Sequence, residues 1–169
     1  MRALILLLPL SAGCFFGHDH GHGHGEGHEH KPLPEQITPE NVESVLEQSL
    51  RRVGSSQVGD TVVLVPWRES VDGKPALLGI EKRTARGGPD GAWTRVRFSK
   101  LRKIVVSPPA QGGLKLWGLT FEGETVTGSG ALQYGETSTP VSIVSADGEA
   151  VKALAASVEL IRTTRKGPP

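Results

Sequence analysis

Cysteine, methionine and tyrosine each occur once in this chain, and no histidine follows His30. A lone thiol, Cys14, excludes an intramolecular disulfide. Without histidine or cysteine from position 31 onward, that part of the chain holds no Ser-His-Asp or Cys-His arrangement and no histidine-ligated metal centre. Neither sign of charge dominates. Nineteen Lys+Arg oppose 18 Asp+Glu for a net charge of +1, so bulk electrostatics gives no reason to expect a nucleic-acid partner. No apolar run approaches the roughly 20 residues that a membrane-spanning helix needs. Glycine (22) and proline (12) are plentiful, so turns are frequent, while 37% hydrophobic residues in a 169-residue chain suffice for one compact domain. The carboxylates Asp60, Glu69, Glu81, Glu122 and Glu124 show no paired spacing, and Gly128-Ser129-Gly130 lacks the lysine spacing of a phosphate loop. The reading is therefore a protein that is not an enzyme.

The leader is short and patterned. Arg2 precedes the apolar run Ala3 to Leu10, then come the small residues Ser11, Ala12 and Gly13, and then Cys14. A run of this length is a secretory signal core and falls short of a bilayer's width. Leu10-Ser11-Ala12-Gly13-Cys14 resembles the lipobox of bacterial lipoproteins, with Ser11 standing where that motif usually carries leucine. The resemblance covers only the first 14 residues. It implies residues 1–13 as signal peptide and a diacylglyceryl thioether on Cys14, now the mature N-terminus. The alternative is an ordinary signal peptide with Cys14 as passenger. An exported chain would then carry an unpaired thiol at its own leader junction, which acylation removes. Several acyl chains, at about 0.8 kcal/mol per buried methylene, hold a protein to a membrane almost permanently. Phe15 is not the acidic residue that keeps some Gram-negative lipoproteins in the inner membrane. The resemblance thus points to the cell envelope, at the outer membrane and facing the periplasm or the cell surface.

All six histidines, His18, His20, His22, His24, His28 and His30, fall within 13 residues, interspersed with Asp19, Glu26 and Glu29 and with glycine at 21, 23, 25 and 27. Neutral imidazole is the commonest side-chain ligand for zinc, copper and nickel, and the carboxylates add oxygen donors of opposite charge to the ion. The glycines leave the backbone free to wrap around it. A flexible segment must lose entropy to organise its ligands and has no surrounding groups to orient the rings. The expected cofactor is a divalent transition metal (zinc, nickel or copper), bound weakly and unselectively and released below about pH 6. In composition the tract is similar to the His-rich loops of periplasmic zinc-transport binding proteins and the His-rich tails of nickel chaperones, which implies buffering or delivery. Two other readings stay open. The tract is a plain hydrophilic tether, or it is a charge switch whose imidazoles gain protons near about pH 6.5. Residues 14–35 form this tether, leaving through the stiff Lys31-Pro32-Leu33-Pro34.

Residues 36–169 read as a single α+β domain. Thr38 and Pro39 mark a helix start and Gly54 a stop, with Val42, Val45, Leu46, Leu50 and Val53 on one stripe. Short strand-like runs follow at Thr61–Arg68, Ala76–Arg83, Trp93–Phe98, Lys103–Ser107, Leu114–Phe121 and Val141–Ser145. Asp72-Gly73 and the Gly/Ser/Thr-rich stretch Glu122 to Thr139 have turn composition. The pattern predicts a mainly antiparallel sheet or a small barrel, closed by a helix capped by Asp147, although Val158–Thr164 also suits a strand.

One segment is strongly basic. Residues 74–103 carry nine Lys or Arg against Glu81 and Asp90, a local balance of +7. Arg83, Arg95, Arg97, Lys100, Arg102 and Lys103, with Trp93 and Phe98 between them, form a pattern suited to an anionic envelope polymer or an envelope protein. The competing reading is a set of cations that keeps an edge strand soluble. Under the first, the domain is an interaction module and the histidine tract only a spacer.

Overall fold

The computed structural model describes residues 32–56, 62–84 and 91–165. The chain forms α1 (Val42–Ser55), six strands and α2 (Gly148–Arg165). The strands are β1 (Val62–Val71), β2 (Lys74–Thr84), β3 (Ala92–Ser107), β4 (Trp117–Ser129), β5 (Leu132–Thr137) and β6 (Val141–Ser145). They make one antiparallel sheet in the order β1-β2-β3-β4-β5, with β6 also on β4. β3 runs along one edge of β4, and the other edge is shared by β6 beside Trp117–Phe121 and β5 beside Thr125–Ser129. The sheet is open, so the architecture is α+β without a barrel.

Local chemistry accounts for the elements and for their departures from the sequence pattern. α1 starts at Val42 rather than at Pro39. The Thr38 carbonyl accepts from the backbone N–H of both Asn41 (3.2 Å) and Val42 (2.9 Å), closing a separate turn. Asn41 Oδ1 accepts from the Thr38 N–H at 2.8 Å and makes no cap bond to the helix. The helix also runs through Gly54 to Ser55. Asp72 (φ 51°) and Gly73 (φ 74°) close a two-residue hairpin between β1 and β2, in which both central residues need positive φ.

Trp93–Phe98 and Lys103–Ser107, which read as two strands, are one 16-residue strand. Its register against β4 slips twice, between Val96 and Leu101 and between Leu101 and Lys103, so the chain bends there without turning back. The stretch from Glu122, of turn composition, is largely strand: it supplies the second half of β4 and all of β5. Val158–Thr164 belongs to α2.

The core lies between the two helices and one face of the sheet. Leu46, Leu50 and Val53 of α1 and Val151, Leu154, Val158 and Ile161 of α2 pack with Leu64, Ile80, Val96, Phe98, Leu119, Phe121 and Ile143 of the strands. Leu33 and Ile37 are half-buried against the same core and fasten the approach to α1. The helices are clamped end to end: Arg52 Nε donates to Asp147 Oδ2 at 2.8 Å and its Nη2 to Glu149 Oε2 at 2.7 Å. Asp147 Oδ1 also accepts from the Ala150 N–H at 2.9 Å, the cap that its sequence position predicts. Among the described residues no helix is long and apolar enough to cross a membrane.

Candidate functional site

The outer face of the sheet carries a second buried layer. Trp67, Trp93 and Val126 are buried yet stand apart from the core that the helices cover. Register explains the arrangement: Trp67 faces Gly79 and Gly79 faces Arg97; Val65 faces Glu81 and Glu81 faces Arg95; Arg83 faces Trp93 and Trp93 faces Gly128. Rows two residues apart share a face, so these side chains come together.

Glycine makes room for the rings. A Cβ on Gly128 would sit 2.1 Å from Cζ2 of Trp93, so the indole lies flat over that backbone. Its Nε1 donates to the Gly130 carbonyl at 2.9 Å. The Arg95 guanidinium carbon lies 4.1 Å from the Trp93 ring centroid and 5.1 Å from that of Trp67, and Arg97 lies 5.1 Å from Trp67. The result is an alternating stack, Trp93, Arg95, Trp67, Arg97, with each contact a cation–π interaction.

Beneath it lies Glu81, 2% exposed. Arg95 Nε donates to Glu81 Oε2 at 2.6 Å, and Arg83 Nε donates to Oε1. Burial pushes the Glu81 carboxyl up, but the hydrogen bonds from Arg83 and Arg95 outweigh it and hold the group below the usual carboxylate range. The carboxylate fixes Arg95, and Arg95 covers both tryptophans.

The six basic residues of the sequence motif therefore divide. Arg83 and Arg95 are paired with Glu81, whereas Arg97 touches Trp67 and has no carboxylate partner among the described residues. Lys100 reaches Glu124 at 3.4 Å. Lys100 and Arg102, with Glu124, Glu136, Thr137 and Ser138, line an open groove of about 540 Å³. Lys103 is exposed and stands opposite Glu122 in the register. Part of the positive run thus alternates in space with glutamates from β2 and β4, while Arg97, Arg102 and Lys103 make no ion pair among the described residues. Between Trp93 and Arg97 β3 lies between β2 and β4, so Arg95 and Arg97 do not guard an edge, which corrects that reading for them; from Leu101 onward β3 pairs with β4 alone among the described residues, so Arg102 and Lys103 stand where the edge reading still applies. Phe98 faces the helices and Trp93 the outer layer, so the two aromatics of the motif are separated.

Sequence reasoning missed the partnership of Glu81 and Trp67 with this segment. Part of it was visible: Trp93, Arg95 and Arg97 have the same parity, which puts them on one face of a strand. Trp67 arrives through two strand registers, and no local pattern announces that.

Cys14, His18, His20, His22, His24, His28, His30, Asp19, Glu26 and Glu29 lie outside the described residues. Among the described residues no group of three or more His, Cys, Asp or Glu is placed to hold a metal ion. Searches of protein families, of curated proteins and of solved structures return no match to this chain.

Proposed function

We propose that this is a lipid-anchored protein of the cell envelope that binds zinc, nickel or copper through its N-terminal histidine tract, for buffering or delivery. One observation carries the reading: all six histidines follow the single cysteine within 16 residues and precede the folded domain, which has none. Cys14 is the anchor, at an outer membrane facing the periplasm or the surface. His18, His20, His22, His24, His28 and His30 are the metal ligands, with Asp19, Glu26 and Glu29 in support. The domain beyond residue 36 acts as the body that the tether serves.

The test is calorimetric titration of residues 15–169 with each metal at about pH 7.5 and about pH 5.5, on either side of the imidazole pKa. A variant with the six histidines changed to serine is titrated beside it. Micromolar binding that vanishes in the variant and weakens in acid supports the proposal. Binding no tighter than millimolar, or binding equal in the variant, refutes it. For the anchor, Cys14→Ser should move the protein from the membrane fraction to the soluble fraction.

A second reading rests on a separate observation. Arg97, Arg102 and Lys103 have no carboxylate within ion-pair distance among the described residues, and they leave a cationic strip on β3 for an anionic envelope polymer or partner protein. Charge reversal at these three positions should abolish retention by such a partner. Unchanged retention removes this reading and leaves the first intact.

A further inference from the structure

Lys82 breaks the pattern of its face. Along β2 it follows Ile80 on the side of the sheet that packs against the helices, and its register partner on β1 is the core residue Leu64. Its side chain is half-buried, at the end of the sheet where the chain crosses from β5 to β6. There it lines a cavity of about 240 Å³ with Thr84, Thr94, Thr127, Thr139 and Ser142.

Three features make this cavity suited to an anion. The first is register: Lys82 faces Thr94, and Thr94 faces Thr127, so an ammonium and two hydroxyls lie in one row across β2, β3 and β4. The second is charge balance. Lys82 Nζ donates to the Ser142 carbonyl at 2.8 Å and has no carboxylate partner among the described residues, which leaves two of its three N–H donors uncommitted. Burial pushes the amine's pKa down, the signature of a cation without a counter-charge. The third is the hydroxyl supply: the Thr94 and Thr127 side chains make no hydrogen bond to other described residues, and either can donate to an oxyanion. A core-facing lysine that served only packing could be replaced by leucine or valine, as at neighbouring positions of the same face.

We infer that the cavity around Lys82, Thr94 and Thr127 binds a phosphoryl group, carried by a small phosphate ester or by a phospholipid headgroup. Donors converge from several strands, which matches a tetrahedral oxyanion better than a planar carboxylate. The volume exceeds one phosphate and leaves room for a short organic substituent. This site is separate from the histidine tract and from the cations of β3, and it stands whether or not the metal reading does.

The full chain is titrated with inorganic phosphate, with glycerol phosphate and with phosphatidylglycerol vesicles at about pH 8, where the histidines are neutral. Lys82 side-chain and Thr94 and Thr127 amide resonances are followed by NMR, and affinity by calorimetry. Phosphate should shift these three residues together and raise the Lys82 pKa. Lys82→Met should weaken binding about tenfold or more, the loss expected for a charge-assisted donor. Thr94→Val and Thr127→Val should each weaken it about three- to tenfold. Binding of the soluble phosphates identifies a small ester; binding only of vesicles, lost in Lys82→Met, identifies a headgroup. The inference is overturned if no resonance of the three residues moves at up to roughly 20 mM ligand. It is equally overturned if the Lys82→Met or threonine variants bind as the native chain does. Should Lys82→Met fail to fold, the threonine variants and the native lysine resonance decide.

Discussion

Replacing Glu81 by glutamine removes the carboxylate that Arg83 and Arg95 share, and the cost can be worked from the geometry. Deleting one partner of a fully buried ion pair costs about 3–5 kcal/mol, because the surviving charge has no compensation. Here the surviving charges are partly wet: the Arg83 side chain is 45% exposed and that of Arg95 24%. Water can take up part of what the carboxylate gave, which lowers the expected loss to about 2 kcal/mol. For a urea slope of about 1–3 kcal/mol per molar, the unfolding midpoint should fall by about 1 M.

The pH dependence carries a sign. The folded Glu81 titrates below its unfolded value of about 4.3, so its contribution is complete above that value and is lost as pH falls through the folded one. The gap between native and variant should be constant near neutrality and close in acid. A double-mutant cycle with Arg95→Met should give a coupling of about 1 kcal/mol or more, since the two side chains are in direct contact. A midpoint shift below about 0.3 M, or a gap that persists unchanged in acid, refutes the assignment of Glu81 as the charged centre of the outer layer.

Gly128→Ala would place a Cβ 2.1 Å from Trp93 and 2.2 Å from the Leu132 carbonyl, so it should cost about 2 kcal/mol and shift tryptophan emission to the red as the indole is displaced. Asp147→Ala removes both the cap of α2 and the clamp to Arg52, for a loss of about 2 kcal/mol by thermal melting; Asp147→Asn keeps a capping oxygen and should recover part of it. Ser49 and Ser157 bury hydroxyls with no partner among the described residues, so Ser49→Ala or Ser157→Ala should be neutral or raise stability by up to about 1 kcal/mol in urea unfolding. A clear destabilisation would reveal a hydrogen bond at that hydroxyl.

Periodicity exposed the inner core and little else. Val42, Val45, Leu46, Leu50 and Val53 fall on one stripe because a single face of α1 is buried, and Val151, Leu154, Val158 and Ile161 repeat the pattern in α2. Where two faces are buried, alternation stops being informative. In β3 Trp93 and Val96 are both buried, on opposite sides, and the bend near Leu101 reads as a break between strands. Glu122 to Thr139 carries turn composition for a physical reason: Gly123 admits the backbone of Lys100, and Gly128 admits the ring of Trp93. Residues chosen for close approach of a partner look, in one dimension, like residues chosen for flexibility. The candidate phosphoryl site was illegible too, because Lys82, Thr94 and Thr127 meet only through the register.

The clamp between Arg52 and Asp147 joins positions 95 residues apart, and the stripe of α1 is covered in part by α2, which follows all six strands. During synthesis, α1 therefore emerges long before the surface that shields it. β1 can cover part of its apolar stripe early, but the part that faces α2 stays uncovered until residues 148–165 have been added, and the late strand β6 must still find the beginning of β4. The pairings between consecutive strands can form as the chain emerges, whereas the closure of α1 against α2 must wait for the later element. An export route that accepts only unfolded polypeptide would find this delay built into the order of the elements.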